Sequence, residues 1–153
     1  MGRLSFIIFA AVLMVAQSGF VQAQTRDVSA ELTAHVEAIK IGQSVEGRRM
    51  AAEALADSLR DFHTGTVNND AVMSLASLLA DLDDEVRFSA VEALSYIGPD
   101  ARQAAPAIER AIRDKHYLVG QPRTGPSKMG FYCKTLTIIG QWSQPEDCNY
   151  WLH

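Results

Sequence analysis

The sequence is poor in the residues that usually announce chemistry. It holds two cysteines, four histidines and five prolines in 153 residues. Two cysteines alone do not close a zinc site, and His35, His63, His116 and His153 share no ligand spacing such as i, i+4. There is no Gly-x-Ser-x-Gly elbow, no glycine-rich phosphate loop and no Cys-x-x-Cys-His haem attachment. Cationic side chains are scarce as well: 14 Lys and Arg against 18 Asp and Glu give a formal charge of −4. That balance argues against a nucleic-acid partner, which normally meets a basic patch or stripe. No enzymatic activity, cofactor or metal is therefore expected. Length and a 48% hydrophobic content fit one globular domain.

Long hydrophobic runs are also missing, with one short exception. Leu4 to Ala16 is an apolar stretch of 13 residues, whereas a spanning helix needs about 20. Arg3 precedes it, polar Gln17 and Ser18 follow, and Val21-Gln22-Ala23 leads into Gln24. That order is the layout of a secretory signal, with cleavage expected after Ala23; an uncleaved N-terminal anchor is the alternative. No Cys stands at the boundary for lipid attachment, and no paired arginines mark a twin-arginine signal. The expected organisation is a signal peptide at 1–23 and one domain at 24–153, periplasmic or secreted, with no membrane insertion after cleavage. Loss of Arg3 with the signal takes the formal charge to −5. An oxidising compartment would make Cys133 and Cys148 a disulfide, two free thiols being the alternative. Closing that loop of 15 residues is worth about 3 kcal/mol on the chain-entropy model.

What the chain does contain is a repeat. Glu46 to Leu55 lies over Glu85 to Leu94 at a constant offset of 39, and six of the ten pairs are identical. Ala71, Leu75 and Asp81 lie over Ala104, Ile108 and Asp114 at an offset of 33. A weaker copy runs from Lys128 to Gly140, where Leu136, Ile139 and Gly140 echo Leu94, Ile97 and Gly98. The copies have helical periodicity: Val86, Ala90, Ala93/Leu94 and Ile97 fall on one face of a 3.6-residue helix. Gly98-Pro99 should stop that helix, and Asp83 or Asp84 should cap its start. Val28, Leu32, Val36 and Ile39 make a similar stripe that closes at Gly42. The spacing predicts helices at 28–41, 46–60, 70–80, 84–97, 102–113 and 128–141, and no sheet. Taken as pairs 28–60, 70–97 and 102–141 with a tail at 142–153, they form an all-α stack in which each pair must lean on its neighbours. Seventeen of the 21 alanines lie after residue 23, and small side chains let helices approach closely. An irregular bundle with a fortuitous match is the alternative.

Leu78 to Gly98 resembles a HEAT repeat of the phycobilisome-lyase-like type. An Asp in the turn between two helices, followed five residues later by Val-Arg, is matched by Asp81 with Val86-Arg87. A proline eight residues before the turn Asp is matched by Pro106 and Asp114. The resemblance is specific over 70–114, partial over 46–60 and weak over 128–141, where Met129 stands at the position of Arg87. The 63–69 loop and the Gln121–Ser127 insertion depart from the pattern. The resemblance implies a short right-handed α-α superhelix of about three helix pairs, with second helices lining a concave side. It also implies that turn aspartates stack against helix arginines of adjacent repeats, so Arg48, Asp81, Arg87 and Asp114 are expected to be structural.

Candidate contact residues follow from the helical wheel. Outward positions on successive second helices are Arg49 and Glu53, then Phe88, Glu92 and Tyr96, then Lys134 and Ile138. Equivalent positions carry unlike chemistry, which suits an irregular protein surface; an ordinary solvated face is the alternative. Asp81, Asp83, Asp84 and Glu85 crowd four carboxylates into five residues but lack the glycine of a calcium loop, and are read as helix capping. Tyr117, Phe131, Tyr132, Trp142, Tyr150 and Trp151 gather in the C-terminal quarter, either as a capping core or as anchors for a partner. The expectation is an exported, non-catalytic module that binds a protein. A ligand carrier or enzyme accessory subunit with a pocket near those rings is the alternative, and neither partner identity nor oligomeric state is set.

Overall fold

The computed structural model describes residues 27–61, 65–114, 128–140 and 148. The expected signal peptide, His63, His116, His153, the Gln121–Ser127 insertion, Tyr117, Trp142, Tyr150 and Trp151 lie outside them. Six α-helices occur among the described residues: α1 Ser29–Lys40, α2 Val45–Arg60, α3 Asn69–Ser77, α4 Asp84–Ile97, α5 Ala105–Asp114 and α6 Lys128–Ile138. There is no strand among these residues, only an isolated parallel bridge between Asp27 and Thr66. None of the described helices is long and apolar enough to cross a membrane.

The helices start where short polar side chains accept orphan backbone N–H groups. Ser44 accepts from Gly47 N at 3.0 Å, Asn68 from Ala71 N at 2.9 Å, and Asp83 from Glu85 N and Val86 N at 3.0 and 3.3 Å. Gly98 ends α4 at φ +72°, a backbone conformation that side-chain-bearing residues rarely adopt. Three helices differ from the expected bounds by three residues at one end, among them the span 128–141, whose helix ends at Ile138 ahead of Gly140 at φ +84°. The span 70–80 ends its α-helix at Ser77 and tightens into a 3-10 turn, Leu78–Ala80. The span 102–113 begins late, at Ala105, after a 3-10 segment from Gly98 to Ala104. Pro106 explains the delay. It has no N–H to return to Arg102, so an α-helix that includes Arg102 would lose a ladder bond; Ala105 N instead bonds Arg102 O in 3-10 fashion.

The pairs α1/α2, α3/α4 and α5/α6 stack in order. First helices meet first helices, α1 on α3 and α3 on α5; second helices form the other layer, α2 on α4 and α4 on α6. This is an all-α, HEAT-like repeat architecture. Between the layers lies one core that includes Leu32, Val36, Ile39, Leu55, Leu75, Val86, Leu94, Ile108, Leu136 and Ile139. Alanines 52, 56, 71, 90, 93, 101, 104, 105 and 111 fill it where helices come close. At roughly 25 cal/mol per Å² of apolar area, burial of these stripes is the main stabilising term, and no pair could supply it alone.

Candidate functional site

The candidate residues lie on the ends and outer flank of the second-helix layer. Beneath them is the acidic run 81–85, which spans the turn before α4 and the start of its first turn. Arg48 on α2 reaches back to Gly42 O at 3.5 Å, and across to Asp81 Oδ1 of the next pair at 3.3 Å. Gly42 fits because a Cβ there would sit 2.7 Å from Arg48 Cγ. Arg87, at the equivalent place on α4, donates to Asp81 O and to Asp84 Oδ1. Arg48 and Arg87 thus repeat the same reach of six residues to a turn carbonyl. The expected rung from Arg87 to Asp114 is absent among the described residues. Arg87 spends its terminal nitrogens on Asp81 and Asp84, and Asp114 ends α5 exposed.

Arg49 continues the ladder one position outward. Its guanidinium forks onto Asp83, with Nε–Oδ1 3.0 Å and Nη2–Oδ2 2.7 Å. The Arg49 side chain is 44% exposed and that of Asp83 only 9%. The guanidinium, followed by the capped N–H groups of Val86 and Glu85, holds the Asp83 carboxyl down at about 2 in spite of its burial. On the other flank, Lys128 at the start of α6 donates to Glu85 Oε1 and to Asp84 Oδ2 at 3.3 Å. Burial works against the Lys128 charge, but Glu85 and Asp84 more than offset it and raise its pKa. The acidic run is therefore consumed by Arg48, Arg49, Arg87 and Lys128.

Phe88 stands differently from its expected place. It is partly buried against the core, 5.3 Å from the Phe131 ring, and Lys128 Nζ lies 5.4 Å from its centroid. The ring fastens α4 to α6 and is no open contact, because α6 comes to lie on that flank. Of the C-terminal rings, Tyr132 is buried, with its hydroxyl pKa pushed up by that burial, and Phe131 packs on Phe88. Both join the core. Cys133 and Cys148 form a disulfide, Cα–Cα 5.5 Å, with both residues fully buried.

The remaining candidates share the outer flank. Glu53 and Lys134 are exposed on α2 and α6, and Ile138 is 37% exposed. Between them on α4, the Tyr96 hydroxyl donates to Glu92 Oε1 at 3.0 Å and accepts from Arg60 Nε at 3.4 Å. Arg60 also pairs with Asp57. Sequence reasoning did not single out Arg60. Its signal was its place on the helical wheel, between Arg49 and Glu53. The flank thus presents a held polar network on α2 and α4, with exposed Glu53 to one side and Lys134 with Ile138 to the other.

Compared with known proteins, the chain matches the family model described as HEAT repeats over residues 32–121. No curated protein and no solved structure matches it.

Proposed function

The chain belongs to the HEAT-repeat family, and from that premise we propose that it is an exported, non-catalytic module that docks a protein on the outer flank of α2, α4 and α6. HEAT repeats generally mediate protein–protein interaction. One observation carries the choice of flank: equivalent positions on three stacked helices present unlike side chains, Asp57, Tyr96 and Ile138 in one row, and in the row beside it Lys134 breaks the pair Glu53 and Glu92. A row of identical side chains would suit a repetitive polymer; an irregular row suits one protein surface. The tyrosine and the half-exposed isoleucine supply apolar contact, and Glu53 and Lys134 supply orientation. Export is supported by the charged, apolar, small-residue order of residues 1–23 and by the Cys133–Cys148 disulfide.

Capture from the exported fraction tests the docking face. Wild type should retain a protein that the double variant Glu53→Lys/Lys134→Glu recovers at least tenfold less well, at matched thermal stability. Arg110→Glu, on the exposed side of α5, should leave recovery unchanged. Equal recovery by all three would remove this face from consideration. Intact mass of the exported chain without reductant should correspond to residues 24–153 carrying one disulfide.

A further inference from the structure

Helix α6 is badly equipped to be a helix. Among the described α-helices it alone has neither an acidic residue in its first turn nor a basic one in its last. It opens instead on Lys128, a cation at the positive end of the dipole. Gly130 and the β-branched Thr135, Thr137 and Ile138 lower its propensity further, and at 11 residues it is too short to persist alone in water. Among the described residues it is the last rung, packed on α4 and α5. What holds it is tertiary: buried Tyr132, Leu136 and Ile139, the Lys128 clamp on Asp84 and Glu85, the Phe88–Phe131 contact and the bond from Cys133 to Cys148.

We propose that the Cys133–Cys148 disulfide is a redox latch that decides whether α6 stands as the third rung of the second-helix layer. Both cysteines are sealed from solvent, so a dithiol reaches them only after a local opening, and in the latch that opening is the lifting of α6. One thiolate of the dithiol then attacks a protein sulfur and breaks the S–S bond, forming a mixed disulfide. Its second thiol resolves that intermediate, so two electrons and two protons leave Cys133 and Cys148 as thiols and the dithiol as its own cyclic disulfide. Once the 15-residue loop is no longer closed, the open state regains its chain entropy and becomes roughly a hundredfold more populated. Opening uncovers Phe88 and withdraws Lys134 and Ile138 from the outer flank. The latch is a property of the fold and holds whether or not that flank docks a protein.

Hydrogen exchange on the full chain, oxidised and after reduction with dithiothreitol, tests it. Reduction should accelerate exchange in 128–139 by roughly a hundredfold and leave α1, α2 and α3 unchanged. The variant Cys133→Ala/Cys148→Ala should exchange like the reduced chain. In the oxidised chain, Lys128→Met should speed reduction by dithiothreitol several-fold, because it weakens the clamp that keeps the sulfurs sealed. No acceleration in 128–139 would show that the bond does not hold α6. Acceleration spread evenly over all six helices would show a general staple. Either result overturns the latch, and an unchanged reduction rate for Lys128→Met overturns the gating by the clamp.

Discussion

At Asp83 one carboxylate does two jobs. It caps α4 through Glu85 N and Val86 N, and it receives the Arg49 fork from the preceding helix pair. Both contacts favour the ionised form, so its folded pKa sits at about 2, below the ordinary 3.8. A depressed carboxyl stabilises the fold above its unfolded pKa, and that contribution is lost as pH falls from about 4 towards 2. Asp83→Ala should cost about 1–2 kcal/mol at pH 7, the upper end reflecting the fork, discounted because Arg49 is partly solvated. Urea melts at a series of pH values should show the gap between wild type and variant closing across that acid window. Phe88 makes a second residue-scale case. A ring exposed on a ridge could be removed at almost no cost, whereas one packed on Phe131 cannot. Phe88→Ala should lower stability by about 2 kcal/mol, less than for a fully buried ring.

An element is legible in sequence when its partner is fixed by the same repeat, and obscure when the partner comes from a divergent one. The stripes of α1 and α4 and a cap at Asp83 or Asp84 follow from local spacing, and the structure has the stripes there, with Asp83 as the cap. The second flank of α4 was not readable. Phe131 and Lys128 belong to the weakest copy, so the wheel of α4 alone left Phe88 facing outward. The late start of α5 was missed because its apolar stripe runs on smoothly while the absent Pro106 N–H breaks the ladder. The offset of 39 also explains how the first pair tolerates water. It carries Val72 and Ala76, buried on α3 beside α1, onto Thr33 and Glu37 of α1. Glu37 is exposed and pairs with Lys40, and the Thr33 hydroxyl donates to Ser29 O. The same exchange of methyl for hydroxyl should therefore differ sharply by position. Val72→Thr should cost about 1–3 kcal/mol by burying a hydroxyl, and Thr33→Val should stay within about 0.5 kcal/mol of wild type. Equal effects in denaturant melts would mean that α1 and α3 do not occupy equivalent places.

Across the whole molecule, four carboxylates in the turn before α4 and in its first turn tie three helix pairs together. Arg48 and Arg49 reach Asp81 and Asp83 from the first pair, and Lys128 reaches Asp84 and Glu85 from the third. Because the pairs stack in a row, the two seams lie on opposite sides of α4 and share no ion-paired acid. Stability in such a row is close to a sum of unit terms and nearest-neighbour interfaces. Asp83→Ala opens the first seam and Lys128→Met the second, the latter at about 0.5–1 kcal/mol because the clamp is partly exposed. The double variant should therefore lose the sum of the two single losses to within about 0.5 kcal/mol. Hydrogen exchange should localise them, with Asp83→Ala felt in α2 and α4 and Lys128→Met felt in α6. A coupling well beyond that margin would mean that α2 and α6 communicate through α4 as one cooperative block. The second-helix layer would then respond to a ligand on any rung as a whole.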